Sequence, residues 1–319
     1  MTHRKIFLIG SLLFAALACN LSDQPFTPIP VSDQVATSVA GTQTALASLA
    51  VPTRLPTDTS VPPTLEIVAT DTLPPGPTPP PGPQSQETIL ILEPGLNPSA
   101  ISSVTSPVHV AGQADPTFEQ SLIVQVTDEN GAVIATVPTQ IQADAGQRGP
   151  FSADVDFKIN SDQPGRISVY ATSARDGGLT HLASVEVKLL ASGAASVVTG
   201  QPHPETIAIF SPASLAVLSG GNAHVTGFSD YVFESQLGVK LCGEGGSGAP
   251  DPVCGTADNV LGEGVAMLNS PDVGQPGPFQ GDVAYKISAP RHGRLVVYNS
   301  SPRDGGLVHV STVEVMLKP

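Results

Sequence analysis

Apolar and polar residues alternate along most of the chain after Gln86. In "FSADVDFKI", Phe151, Ala153, Val155 and Phe157 fall on one face, and in "GRISVYAT" so do Ile167, Val169 and Ala171. A period of two is the mark of a strand with one buried face. "TILIL", "VHVAG", "SLIVQVT", "AVIATV" and "ASVEVKLL" are further strand-like runs, separated by turn-forming residues. No helical period of useful length intervenes. Seven such strands over residues 87–190 predict an all-β fold, an antiparallel sandwich of immunoglobulin type.

The pattern is then written a second time. "ETILIL" at Glu87 returns as "ETIAIF" at Glu205, and "FE" at Phe118 and Glu119 returns at Phe233 and Glu234. "GPF" ending at Phe151 returns ending at Phe279, and "VY" ending at Tyr170 returns ending at Tyr298. The spacing lengthens between the second and third anchors, where Cys242 and Cys254 bracket "GEGGSGAPDPV". Two tandem, independently packed immunoglobulin-like sandwiches are therefore expected, the second with a loop insertion, which loop entropy tolerates at small cost. The expected layout is a leader at 1–18, a stalk at 19–86, a first domain at 87–190, a linker at 191–204 and a second domain at 205–319.

Two segments lie outside this alternation. "MTHRKIFLIGSLLFAALACN" has a basic start, an apolar run from Ile6 to Ala18 and small residues before Cys19, the form of a secretory signal. Its end, "ALAC", resembles a bacterial lipobox, and that resemblance implies cleavage before Cys19 and a diacylglycerol on its sulfur. The rival reading is an ordinary signal peptide with an incidental cysteine, giving a secreted protein. From Asn20 to about Gln86 the chain is rich in proline and threonine. Prolines fix φ and remove amide donors, so this stretch is expected as a disordered, extended stalk.

Composition narrows the function classes. The formal net charge is −14, with 28 acidic and 14 basic residues, and this opposes a nucleic-acid phosphate backbone. The charge would favour basic or cationic partners, although a plain solvated acidic surface is the simpler reading. With Cys19 assigned to lipid, Cys242 and Cys254 remain as a pair. A short-loop disulfide is the natural reading in an oxidising compartment; a metal site is the rival, although no histidine is near in sequence. No metal or other cofactor is expected, because no clustered His/Cys pattern appears in the sequence.

One stretch demands its own account: "RDGGLTH" at Arg175–His181 recurs as "RDGGLVH" at Arg303–His309. Asp-Gly between alternating runs signals a hairpin turn of type I′, which needs φ > 0 at both central residues. Asp176, Gly177 and Gly178, with Asp304, Gly305 and Gly306, are thus read as the tip of the last hairpin in each copy. Arg175 and Arg303 are placed to pair with carboxylates. His181 and His309 share a face with Leu179 and Leu307 and are expected to be partly covered. Phe118 and Phe233 are expected in the cores, with Glu119 and Glu234 reaching the hairpin arginines. "TDENG" at Thr127–Gly131 suggests a calcium loop, but its acidic residues lack the alternating spacing of an EF-hand, so it reads as a plain turn.

The order SP, V-x-G, FE, D-x-x-G, G-x-F, V-Y, S-x-R-D-G, met in both copies, resembles the Gmad2 domain. This is an immunoglobulin-like module named from bacterial spore-germination proteins. The resemblance implies an extracytoplasmic β-sandwich of lipoproteins and surface proteins and carries no catalytic residues. The GerMN-type companion domain of germination proteins is not seen here. The expectation is a non-catalytic protein held to the membrane by a lipid anchor, meeting an unknown envelope protein or polysaccharide. One alternative is a carbohydrate- or cell-wall-binding module, weakened by the absence of tryptophan and only four tyrosines. Another is a hydrolase-like enzyme using the hairpin histidines, for which no nucleophile motif is found.

Overall fold

The alternating runs form strands whose buried faces close two sandwiches. The computed structural model describes residues 85–319, apart from 98, 231 and 273. The leader, Cys19 and the stalk as far as residue 84 lie outside the described residues. Among the described residues, no helix is long and apolar enough to cross a membrane.

In the first copy, β1 (Ile89–Glu93), β3 (Val108–Ala114) and β6 (Gly149–Val155) form one antiparallel sheet in the order β1-β3-β6. The second sheet runs β5-β4-β7-β8, from β4 (Ser121–Thr127), β5 (Val133–Gln140), β7 (Gln163–Thr172) and β8 (Leu179–Leu189). Short β2 (Ser102–Val104) lies parallel beside β8. Ile89, Val110, Phe151 and Val155 from one sheet pack against Val124, Val126, Ile167, Val169 and Val185 from the other. The strand order and the facing layers are those of an immunoglobulin-type sandwich.

The second copy has the corresponding strands, β9 (Ile207–Ser211), β10 (Ala216–Leu218), β11 (Asn222–Ser229), β12 (Gln236–Cys242), β15 (Val260–Leu268), β16 (Gly277–Ala284), β17 (Arg291–Ser300) and β18 (Leu307–Leu317), but here β15 also pairs with β16, so the order runs unbroken as β18-β17-β12-β15-β16-β11-β9. Its core holds Ile207, Val225, Phe279 and Val283 against Val239, Leu241, Leu295, Val297 and Val315. The insertion forms a two-stranded ribbon, β13 (Pro250–Asp251) with β14 (Gly255–Thr256). The disulfide Cys242–Cys254 ties the ribbon to the end of β12.

The two sandwiches are not packed independently. Strands β8 and β18 meet at one antiparallel pair, Leu182 with Val310. Around it lies a third apolar cluster: Leu179, Leu182, Val296, Val310, Val253 and the disulfide. Two reciprocal bonds flank it: Ser184 Oγ donates to the Val308 carbonyl and Thr312 Oγ1 to the Thr180 carbonyl, each at 2.7 Å. This explains a departure from simple alternation. In β7, Ile167 and Val169 face the first core, yet Arg166 and Ser168, pointing the other way, are also buried, at 2% and 4% exposure. The second copy covers what a lone sandwich would leave in water.

The "FE" anchors behave differently from the sequence expectation. Phe118 and Phe233 are 63% and 52% exposed. Glu119 and Gln120, and likewise Glu234 and Ser235, have φ between 53° and 57°. Two successive left-handed residues turn the chain sharply between strands and leave the ring outside the core. Neither glutamate meets a hairpin arginine: Arg175 pairs with Glu314 and Glu244, and Arg303 with Glu186 and Asp304.

Candidate functional site at the junction of the two copies

The repeated hairpins are built identically. Gly177 donates to the Ser173 carbonyl and Gly305 to the Ser301 carbonyl, both at 2.8 Å. Asp176 Oδ1 accepts from the Gly178 amide at 2.9 Å, and Asp304 Oδ1 from the Gly306 amide at 2.8 Å. Only Gly177 and Gly305 within these tips take positive φ, each +71°. The type I′ expectation therefore gives way to a longer turn that needs one left-handed residue, while the aspartate closes an Asx turn.

The second glycine has another reason. A Cβ on Gly178 would lie 2.3 Å from Arg294 Nη2 and 2.9 Å from the Val253 carbonyl oxygen. A Cβ on Gly306 would lie 2.8 Å from Arg166 Nη1. Both positions are kept bare for an arginine of the opposite copy. Arg294 Nη2 donates to both oxygens of Asp176, at 3.0 and 3.1 Å, and Arg166 Nη2 to both of Asp304, at 3.2 and 3.1 Å. The aspartate in each turn is thus also the receptor for a buried cation across the junction. Burial pushes Asp304 up, but the Gly306 amide, Arg303 and Arg166 outweigh it and bring the carboxyl down to about 2.

Between the hairpins lies a second reciprocal cluster. The segment before β1 runs antiparallel to that before β9, with Glu87 N donating to the His203 carbonyl and Glu205 N to the Ser85 carbonyl. Glu87 Oε2 then accepts from Thr206 N and Oγ1 at 2.9 and 3.0 Å, and Glu205 Oε2 from Thr88 N at 2.8 Å. Each carboxylate is oriented by the threonine that follows the other. Their Oε1 atoms are turned towards His181 on β8 and His309 on β18. His181 Nε2 lies 3.2 Å from Glu87 Oε1 and 3.7 Å from Glu205 Oε1; His309 Nε2 lies 3.0 Å from Glu205 Oε1 and 3.7 Å from Glu87 Oε1. The imidazoles meet edge to face at 5.0 Å.

All four side chains are at most 7% exposed. Burial pushes both carboxyls up, but the histidines more than offset it: Glu87 lies below its ordinary value and Glu205 falls to about 2. Burial pushes His309 down; Glu87 and Glu205 outweigh it, and its pKa is raised. The sequence carries no clustered metal-ligand motif, yet the fold assembles one in space. Folding brings four ligand atoms, from residues far apart in the chain, within 4.8 Å of one another. The available signal was that Glu87 and His181 both recur at equivalent points of the second copy. Arg166 and Arg294, each in a repeated Gly-Arg pair, carry the same signal.

Ser311 Oγ lies 3.3 Å from His309 Nε2 and 3.0 Å from Glu205 Oε1, which superficially suggests a nucleophile, base and acid. A relay needs the acid on one ring nitrogen and the nucleophile on the other. Here both contacts fall on Nε2, so the trio does not form that relay.

Residues 96–178 match the family model described as the immunoglobulin-like domain of bacterial spore germination, Gmad2. No curated protein matches the chain. Among solved structures, the titin domains Z1Z2 in complex with telethonin share 16% identity, covering 74% of this chain and 98% of that one, with a TM-score of 0.16. Drosophila OTK extracellular domains 3–5 share 11%, covering 74% and 67%, with a TM-score of 0.16. The adhesin CfaE of enterotoxigenic E. coli shares 12%, covering 74% and 85%, with a TM-score of 0.15. At such scores these likenesses carry no argument.

Proposed function

We propose that the chain is a non-catalytic, extracytoplasmic lipoprotein whose two immunoglobulin-like copies act as one interaction body. The observation that carries this reading is where the repeated polar residues go. Arg166, Asp176, Arg294 and Asp304 bind the copies to each other, each arginine donating to the hairpin aspartate of the opposite copy. The immunoglobulin-like match over 96–178 fits an interaction module. The second copy, 205–319, is read as the same domain type, joined to the first, 87–190, through 191–204. Cys19 would carry the lipid, and two acyl chains make a lasting anchor. The stalk to residue 86 would hold the pair off the membrane. The partner would be an envelope protein or polysaccharide, with the acidic charge favouring a basic surface.

Two measurements test this. Mass spectrometry of the mature protein should find acylated Cys19 at the amino terminus; an unmodified terminus elsewhere overturns the anchor. The full chain should retain a defined envelope protein or glycan that free chain displaces. Nothing retained above a control, or hydrolysis of model substrates lost in His309→Asn, overturns the interaction reading.

A further inference from the structure

We infer that Glu87, His181, Glu205 and His309 form a divalent transition-metal site, of the class that takes Zn²⁺, stapling the two copies together. The argument is geometric. A tetrahedral zinc with bonds near 2.0–2.1 Å sets its ligand atoms about 3.3 Å apart. The four histidine-to-carboxylate distances are 3.0, 3.2, 3.7 and 3.7 Å, on either side of that value. All four ligand atoms converge within 4.8 Å, and each residue offers one.

The donor set selects the ion. Two imidazole nitrogens and two carboxylate oxygens suit zinc and its first-row neighbours, whereas Ca²⁺ takes six to eight oxygens. Two carboxylates neutralise a divalent ion, so the bound site carries no net charge into a buried junction. The outer shell is in place: Thr206 holds the far oxygen of Glu87 and Thr88 that of Glu205, leaving one oxygen of each for the metal. A cavity of about 120 Å³ lined by Glu87, His203, Thr206 and His309 leads to the cluster from one side. Thr88, His181, Glu205 and Ser311 line a wider recess on the other.

Each copy supplies one glutamate and one histidine, so neither sandwich holds the site alone. The metal would fix the angle between the copies, a consequence independent of what they bind. The chain also carries two exposed histidine–carboxylate pairs, His109 with Asp154 and His224 with Asp282, which serve as internal controls.

The test uses the full chain stripped with chelator and titrated with ZnCl₂ or CoCl₂ alone. The expected result is one ion per chain by calorimetry, the intense visible bands of tetrahedral Co²⁺, and a rise in Tm of about 5 °C or more with Zn²⁺. His181→Asn and His309→Asn should abolish all three, while His109→Asn with His224→Asn leaves them unchanged. Should the histidine variants fail to fold, Glu87→Gln, which keeps the size and the Thr206 contacts, should weaken binding at least tenfold. No uptake, the pale spectrum of six-coordinate Co²⁺, or uptake lost only in the surface variants overturns the proposal and leaves the cluster as two ion pairs.

Discussion

The Asp176 and Asp304 hairpins carry the same residues but lie in different seats. Asp304 sits in a closed ring of charges: Arg166 bridges it to Glu186, and Arg303 bonds both acids, at 2.6 Å to Glu186 and 3.0 Å to Asp304. Its neighbour in the first copy is the bare β4–β5 turn, where a Cβ on Gly131 would lie 3.2 Å from the Asp304 side chain. Asp176 has one hydrogen-bonded cation, Arg294, whose Nη1 lies 3.8 Å from Glu314, the acid that Arg175 also holds, so the same ring is present here but looser and without a direct Arg175–Asp176 hydrogen bond. That seat is closed further by the insertion: Leu179 N donates to the Val253 carbonyl at 2.9 Å, and the disulfide packs on Leu179. One copy of the clasp is held by a tight, redundant charge ring, the other by a looser ring backed by a covalently pinned loop. A duplicated motif can thus keep its geometry while its support diverges.

Deleting the arginines should separate the two seats most strongly. Arg294→Met leaves Asp176 buried with no hydrogen-bonded cation, and a buried pair broken on one side costs about 3–5 kcal/mol. Arg166→Met removes its bonds to Glu186 and Asp304 but leaves both acids held by Arg303, so a smaller loss of about 2–3 kcal/mol is expected. Urea unfolding of the two variants checks the order; equal losses would remove the contrast.

Opening the insertion comes next. Cys242→Ser with Cys254→Ser frees a loop with a sequence separation of 12, for which chain entropy gives about 3 kcal/mol. The local consequence discriminates better than the total. Amide exchange at Leu179, bonded to Val253, should quicken, while exchange at Leu307 in the other hairpin stays as it was.

The sandwiches themselves were legible because their alternation is local. Val108, Val110, Phe151 and Val155 declare a buried face within a few residues of sequence. The junction was not, because what buries Arg166, Ser168 or His181 is a second copy more than a hundred residues away. Period-two reasoning sends Arg166 and Ser168 to solvent, and it leaves His181 only partly covered beside Leu179. Glu87 and Glu205 were visible only as anchors of the repeat, since nothing in "ETI" shows that each carboxylate will turn to the other copy's threonine. Phe118 failed for a different reason: an apolar residue beside a left-handed turn is carried outward by the backbone, whatever its hydropathy.

A smaller test probes the close approach of backbone and arginine. Gly178→Ala would press a methyl against Arg294 and against the main chain of the pinned loop, neither of which has room to yield. Overpacking of this kind costs about 1–3 kcal/mol. Gly306→Ala meets only the end of the Arg166 side chain and the Asp304 carboxylate, so its cost should be under about 1 kcal/mol. A Cys242→Ser and Cys254→Ser background should relieve Gly178→Ala and not Gly306→Ala.

The rim arginines should have the smallest effect at neutral pH and the most specific one in acid. Arg303→Gln and Arg175→Gln each remove a partly exposed pair, for which under about 1 kcal/mol is expected. In the folded chain Asp304 is held near 2, below the roughly 3.9 of an unfolded aspartate. A depressed carboxyl stabilises the fold above its unfolded pKa and loses that contribution as pH falls, here between about pH 4 and pH 2. Arg303 is one of the groups that hold Asp304 down. Arg303→Gln should therefore raise the folded value and shrink the stability lost across that window. Arg175→Gln, which serves the other seat through Glu314, should leave that limb of the profile where it was. If both variants flatten the acid limb alike, Asp304 is not the group that sets it, and the ring around Arg166 is no more redundant than its counterpart.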